Sequence, residues 1–122
     1  MSFPQIQTVA LTTDASGDAT GYTEVIRGRI ESVEYVKTDF ADGVDFTITL
    51  EDTGVNVWTQ TNVNAAVVVA PRQATHSTAG VAATYDGTRA VLERIPVAHE
   101  RVEIVIAQGG NVKSGTFKVV YS

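Results

Sequence analysis

Val44-Asp45-Phe46-Thr47-Ile48-Thr49-Leu50-Glu51 alternates without a fault. Val44, Phe46, Ile48 and Leu50 share one side, and Asp45, Thr47, Thr49 and Glu51 share the other. Successive side chains of a strand point to opposite faces, so the pattern suits a strand with one dry face and one wet face. The same period recurs further along the chain. Residues 101–108 set Val102, Ile104 and Ile106 against Arg101 and Glu103, and residues 114–121 set Gly115, Phe117, Val119 and Tyr121 against Thr116, Lys118 and Val120. Residues 23–37 keep the period from Ile26 through Gly28 to Ile30. They resume it at Val33 and Tyr35 one residue out of step, which signals a β-bulge or bend.

Less regular segments fill the rest. Residues 5–12 read as a first strand, and residues 55–61 as a strand holding the single tryptophan, Trp58. The apolar run 65–70, ended by Pro71, reads as a buried strand, and residues 82–85 as a short edge strand. Residues 72–80 have no period and read as an exposed loop. Residues 91–98 resemble the start of a helical turn interrupted by Pro96. Turn chemistry falls between these segments, at residues 14–21, Asp42-Gly43, Asp52-Thr53-Gly54, Asp86-Gly87 and Gly109-Gly110-Asn111. The last of these reads as a hairpin loop. Short strands, polar turns and no helical period imply an all-β, antiparallel β-sandwich of jelly-roll or Ig-like type, preferred over a closed barrel.

The chain has 122 residues, a net charge of −5 and no cysteine. Area scaling for a protein of this size predicts roughly 6,300 Å² of folded surface, against roughly 19,000 Å² unfolded. One core without metal or disulfide staples is sufficient. The expected organisation is a single domain, with residues 1–21 as an N-terminal strand or arm and flexible turn and residues 22–122 as the sandwich. Without cysteines there is no disulfide framework and no thiolate chemistry. Nine basic residues scattered among fourteen acidic ones argue against nucleic acid. Residues 1–10 carry no basic residue and no long apolar stretch, and no apolar run approaches a bilayer span, so the expectation is a protein made in the cytoplasm, with no membrane partner.

Asp52-Thr53-Gly54 matches the active-site triplet of aspartic proteases, in which two carboxylates share a proton. Glu51 before it would disturb that electrostatics, and a turn after the strand accounts for it. Gly109-Gly110-Asn111-Val112-Lys113-Ser114 lacks the glycine that a phosphate loop needs before its lysine. Asp14-Ala15-Ser16-Gly17-Asp18 lacks the closing glutamate of a calcium loop. His76 and His99 have no ligand-like neighbours. Trp58, Tyr22, Tyr35, Tyr85 and Tyr121 are too dispersed for a sugar-stacking platform and suit core packing. The expectation is a protein that is not an enzyme, with no catalytic, cofactor or metal site.

Several phrases taken together resemble a known group of proteins. Gly28-Arg29-Ile30-Glu31-Ser32-Val33-Glu34-Tyr35 precedes the strand from Gly43 to Glu51. Pro71-Arg72 follows an apolar run, Glu100-Arg101-Val102 leads into Ala107-Gln108-Gly109-Gly110, and Lys113-Ser114-Gly115-Thr116-Phe117 follows. This series, over roughly residues 22–122, resembles small virion proteins of tailed bacteriophages, nearest the capsid decoration (cement) proteins. The resemblance implies a structural protein on the capsid surface, made in the host cytoplasm and binding the major capsid protein, commonly as a homo-oligomer (trimer or dimer). It transfers no catalytic residue. The N-terminal segment, through Phe3, Pro4, Ile6, Val9 and Leu11, is the expected partner-binding element, adding a strand to a neighbour. A head–tail joining or tail-associated protein, and a carbohydrate- or host-surface-binding sandwich, are the alternatives.

Overall fold

The computed structural model describes residues 3–122, which form ten strands. They are β1 (Gln5–Thr12), β2 (Ala19–Tyr22), β3 (Ile26–Lys37), β4 (Val44–Leu50), β5 (Asn56–Val63), β6 (Val67–Val69), β7 (Arg72–Ala74), β8 (Leu92–Glu100), β9 (Val102–Ala107) and β10 (Ser114–Tyr121). Every pairing between them is antiparallel. One sheet runs β1-β10-β3-β8-β7, with β6 added to β3, and the other runs β2-β9-β4-β5.

Set β6 and β7 aside, and the order of the other strands identifies the topology. The first sheet reads β1-β10-β3-β8 and the second β2-β9-β4-β5. Each connection passes from one sheet to the other, except the hairpin from β4 to β5. This is the strand order of a jelly roll, two Greek keys folded into facing sheets. β6 and β7 lie in the single long connection between β5 and β8.

The alternating segments form the core because their dry faces point between the sheets. Ile30, Val33, Tyr35, Phe117 and Val119 from one sheet meet Val44, Phe46, Ile48, Val102, Ile104 and Ile106 from the other, all essentially inaccessible. At the centre the Phe46 ring lies edge-on to Trp58 at 4.7 Å and to Phe117 at 5.0 Å, and Tyr35 stacks on Phe117 at 5.2 Å. These separations and angles are the ones aromatic pairs prefer.

The one-residue slip in β3 is a bulge at Glu31. β10 places Val120 opposite Ser32 and Tyr121 opposite Ile30, leaving Glu31 unpaired on that side. A second bulge falls at His99, between the pairs Arg27–Ala98 and Ile26–Glu100, where His99 adopts φ 118°. After Ile95 and Val97, alternation would turn His99 inward. The bulge turns Glu100 inward instead, and it is 6% exposed.

Several segments depart from expectation. Residues 91–98 form most of β8, with no helical turn. Pro96 is accommodated because β8 has a paired strand only on its β3 side there, so the missing N–H removes no second ladder bond. The run 65–70 is not a buried strand: only Val67–Val69 is extended, at an edge, and Val68 is 62% exposed. Part of the expected loop 72–80 is β7, while residues 82–85 contribute only isolated bridges, His76 to Ala82 and Thr84 to Ala90. Gly109-Gly110-Asn111 does not close a hairpin, since β9 and β10 belong to opposite sheets. It crosses between them, held by bonds from the Gly109 amide to the Gly17 carbonyl and from the Ala41 amide to the Gly109 carbonyl. Residues 14–21 divide into a turn closed by the Asp14 carboxylate, which accepts from the Ser16 and Asp18 amides, and the strand β2.

A candidate protein-docking surface

Between Val63 and Ile95 no residue is buried. The chain nevertheless has ordered geometry through this whole connection. β7 pairs with the start of β8, which has by then diverged from β3, so residues 72–92 form a ribbon leaving the sheet edge. Beyond β7 the Thr75 amide donates to the Val91 carbonyl, the Ala83 amide to Thr75 and the Val91 amide to Ala83. The total accessible surface is 6883 Å², somewhat above the roughly 6,300 Å² that scaling predicts for a compact chain of this mass.

Its base is fixed to the β3 bulge. Arg94 Nη1 donates to Glu31 Oε1 at 2.6 Å, and Arg72 Nη1 donates to the Glu31 carbonyl at 3.1 Å. The Arg94 hydrogen bond holds the Glu31 carboxyl below its ordinary range, with desolvation opposing. Its tip is the turn at Asp86-Gly87. Asp86 Oδ1 accepts from the Arg89 amide at 2.6 Å and the Thr88 amide at 3.0 Å, and these bonds lower its pKa. A second turn is closed by Ser77, whose Oγ accepts from the Ala79 and Val81 amides. Val81 (64%), Tyr85 (65%) and Leu92 (58%) stand exposed along the ribbon. Backbone pairing and side-chain caps hold this element in shape, while its apolar side chains have no core to enter.

Beside the root of the ribbon lies an open groove of about 360 Å³ between the edges of the two sheets. Trp58, Gln60 and Asn62 line it from β5, and Val67 and Val69 from β6. Trp58 is 8% exposed and packs edge-on to Phe46, so its ring face is not offered as a platform. Tyr35 and Tyr121 are buried, and Tyr22 and Tyr85 stand on different elements. The aromatic residues do not converge.

The N-terminal segment is divided by its strand geometry. β1 pairs with β10 along all of its length, from Gln5–Tyr121 to Thr12–Ser114. Val9 (7%) and Leu11 (5%) therefore point into the core, while Phe3 (70%), Pro4 and Ile6 (60%) remain outside. Met1 and Ser2 lie outside the described residues. β1 and the ribbon occupy opposite edges of the same sheet, so the structure does not bring these surfaces together.

Asp52-Thr53-Gly54 is the β4–β5 turn. Glu100, turned inward by the His99 bulge, reaches across to it: Oε1 accepts from the Asp52 and Thr53 amides at 2.7 and 3.1 Å, and Oε2 from the Thr53 hydroxyl at 3.2 Å. Next along the chain, Arg101 pairs with Glu51 and covers the Tyr22 ring at 4.1 Å. Its bond to Glu51 raises the Arg101 pKa, and a hydrogen bond with Glu103 raises that of Tyr22. These groups tie the β8–β9 corner to the neighbouring turn. His76 lies on the ribbon, while His99 accepts from Arg27 Nε at 3.0 Å. Among the described residues no group of three or more His, Cys, Asp or Glu is arranged to hold a metal.

The ribbon was not legible in the sequence, where its turns and short pairings look like loop. The signal available was the succession of turn residues between Ala74 and Leu92 with exposed Val81 and Tyr85 among them. Comparison with known families, curated proteins and solved structures finds no match to this chain.

Proposed function

We propose that this is a non-catalytic structural protein that docks on other proteins, in the manner of the capsid decoration proteins of tailed bacteriophages. In this reading it stabilises a phage head by binding major capsid subunits at the virion surface. The observation that carries the docking reading is the ribbon between β6 and β8, ordered by pairing and turn caps yet contributing nothing to the core. A preformed element of this kind loses little freedom on binding, and its exposed Val81, Tyr85 and Leu92 supply the apolar contact area. The jelly-roll order adds weight by fold analogy, since viral capsid domains share it, although fold alone does not fix function.

The test is co-sedimentation with assembled, expanded heads of the phage that carries the gene. Wild-type protein is expected to sediment with the heads, and a Val81→Asp/Tyr85→Asp variant to stay in solution with an unchanged β-type circular-dichroism spectrum. Wild-type protein that ignores heads overturns the decoration reading. Binding to tails or connectors instead would favour head–tail joining. Glycan binding lost on Trp58→Ala would favour a carbohydrate-binding module, jelly rolls also being common among lectins.

A further inference from the structure

Soluble sheets ordinarily guard their edges with charges, prolines, bulges or short strands, because an open row of N–H and C=O groups is a template for another chain. Here the charge distribution runs the other way. The interior strands all carry charge: β3 has Arg27, Arg29, Glu31, Glu34 and Lys37, and β4, β8, β9 and β10 each have at least one charged residue. Of the strands that end a sheet, β1, β2 and β5 have none, and only β7 is charged, through Arg72. β2 is four residues long, and β5 is interrupted by two register shifts against β4. β1 has neither defence. It runs for eight residues, pairs with β10 without a bulge, and lies within a stretch free of charge and, after Pro4, of proline up to Asp14.

We propose that β1 is a self-association edge, two copies of the chain pairing β1 with β1 antiparallel about a two-fold axis to fuse their larger sheets into one. Three observations favour a second copy as the occupant. An isologous pair sets each strand against itself, so a charged residue near the axis would meet its own like charge, and β1 has none. Each copy carries a net charge of −5, so copies repel overall, and a strand without charged side chains adds no like-charge contact of its own. Ile6, exposed on the outer face at one end of β1, would come to lie beside Ala10 or Thr12 of the second copy, since directly opposed residues must lie on the same face. Thr8 then falls opposite the second copy's Thr8, or diagonal to it. The edge is independent of the ribbon, which occupies the far side of the sheet.

The experiment is light scattering on the full chain across a concentration series, with the variants Thr8→Lys and Thr8→Glu. Wild-type protein is expected to reach about twice the 13.0 kDa of one chain. Each variant alone is expected to stay monomeric, because like charges meet at the axis, and an equimolar mixture of the two to recover the dimer. Wild-type protein that is monomeric throughout or trimeric overturns the proposal, as does a variant that dimerises like wild type. Hydrogen exchange on wild-type protein gives a readout free of folding defects. β1 amides are expected to gain protection as concentration rises, and protection that does not change with concentration overturns the proposal. Wild-type protein that dimerises but does not sediment with heads would overturn the decoration reading and leave this proposal standing.

Discussion

Arg94, in the last part of β8 before it joins β3, donates to the carboxylate of Glu31, the bulged residue of β3. The same irregularity that interrupts the strand therefore supplies the anchor for the large element that stands outside the core. Arg72 binds the Glu31 carbonyl from the other arm of the ribbon, so both arms close on one residue.

That arrangement predicts a local pH response. The Glu31 pKa is lowered by Arg94, so the contact contributes above the unfolded carboxylate range, about 4.3, and is lost as pH falls through the depressed folded value. Amides and protease sites of the ribbon are expected to be fully protected above the unfolded carboxylate range and to lose protection progressively as pH falls below it. Glu31→Gln should lower protection at the base of the ribbon at neutral pH and remove the pH dependence there, leaving that of Asp86 at the tip, as read by hydrogen exchange. A ribbon equally protected in the variant would show that Glu31 is not the anchor.

Glu100 makes a separable prediction about the core. Removing its carboxylate by Glu100→Ala leaves the Asp52 and Thr53 amides and the Thr53 hydroxyl without their acceptor. A loss of about 1–3 kcal/mol is expected on chemical denaturation. Glu100→Gln keeps one oxygen for both amides and should lose no more than about 1.5 kcal/mol. Asp52→Asn, which alters no bond in this network, should leave stability unchanged, and an Asp52-dependent hydrolytic activity would reverse the non-catalytic reading.

Among the described residues, the Tyr35 hydroxyl is the buried side-chain polar atom without a hydrogen-bond partner, and burial raises its pKa. Its ring supplies the aromatic stacking, and its oxygen supplies desolvation only. Tyr35→Phe is therefore expected to be neutral or stabilising by up to about 1 kcal/mol, measured by urea unfolding. A loss of more than about 1 kcal/mol would reveal a partner for that oxygen.

Gly115 lies under the Phe40 ring, and a Cβ there would come within 2.3 Å of Cε2. Gly115→Ala should destabilise by about 1–3 kcal/mol, because Phe40 is fully packed and cannot retreat freely. Combining it with Phe40→Ala removes the collision. The double variant should then lose clearly less than the sum of the two single ones, and strict additivity would contradict the close approach.

Strong alternation was enough to read β4, β9 and β10 from the amino-acid order, and the step from Ile30 to Val33 was enough to read a bulge or bend in β3, which the structure places at Glu31. In each case burying one face while wetting the other leaves a local imprint with period two. What lay beyond local reading was which sheet a strand joins. Gly109-Gly110-Asn111 has the residues of a tight hairpin, but β4 and β3 compete for β9 and β10 and draw them into opposite layers. Three-residue pairings such as β6 and β7 leave no period to detect, and Pro96 looks like a breaker until β8 is seen to have a neighbour on one side only at that position. The placement of Glu100 against Asp52 and Thr53, and of Arg94 against Glu31, joins residues far apart along the chain. Only the closed jelly roll brings such pairs within hydrogen-bonding distance, because strand order is decided by the burial of the whole core.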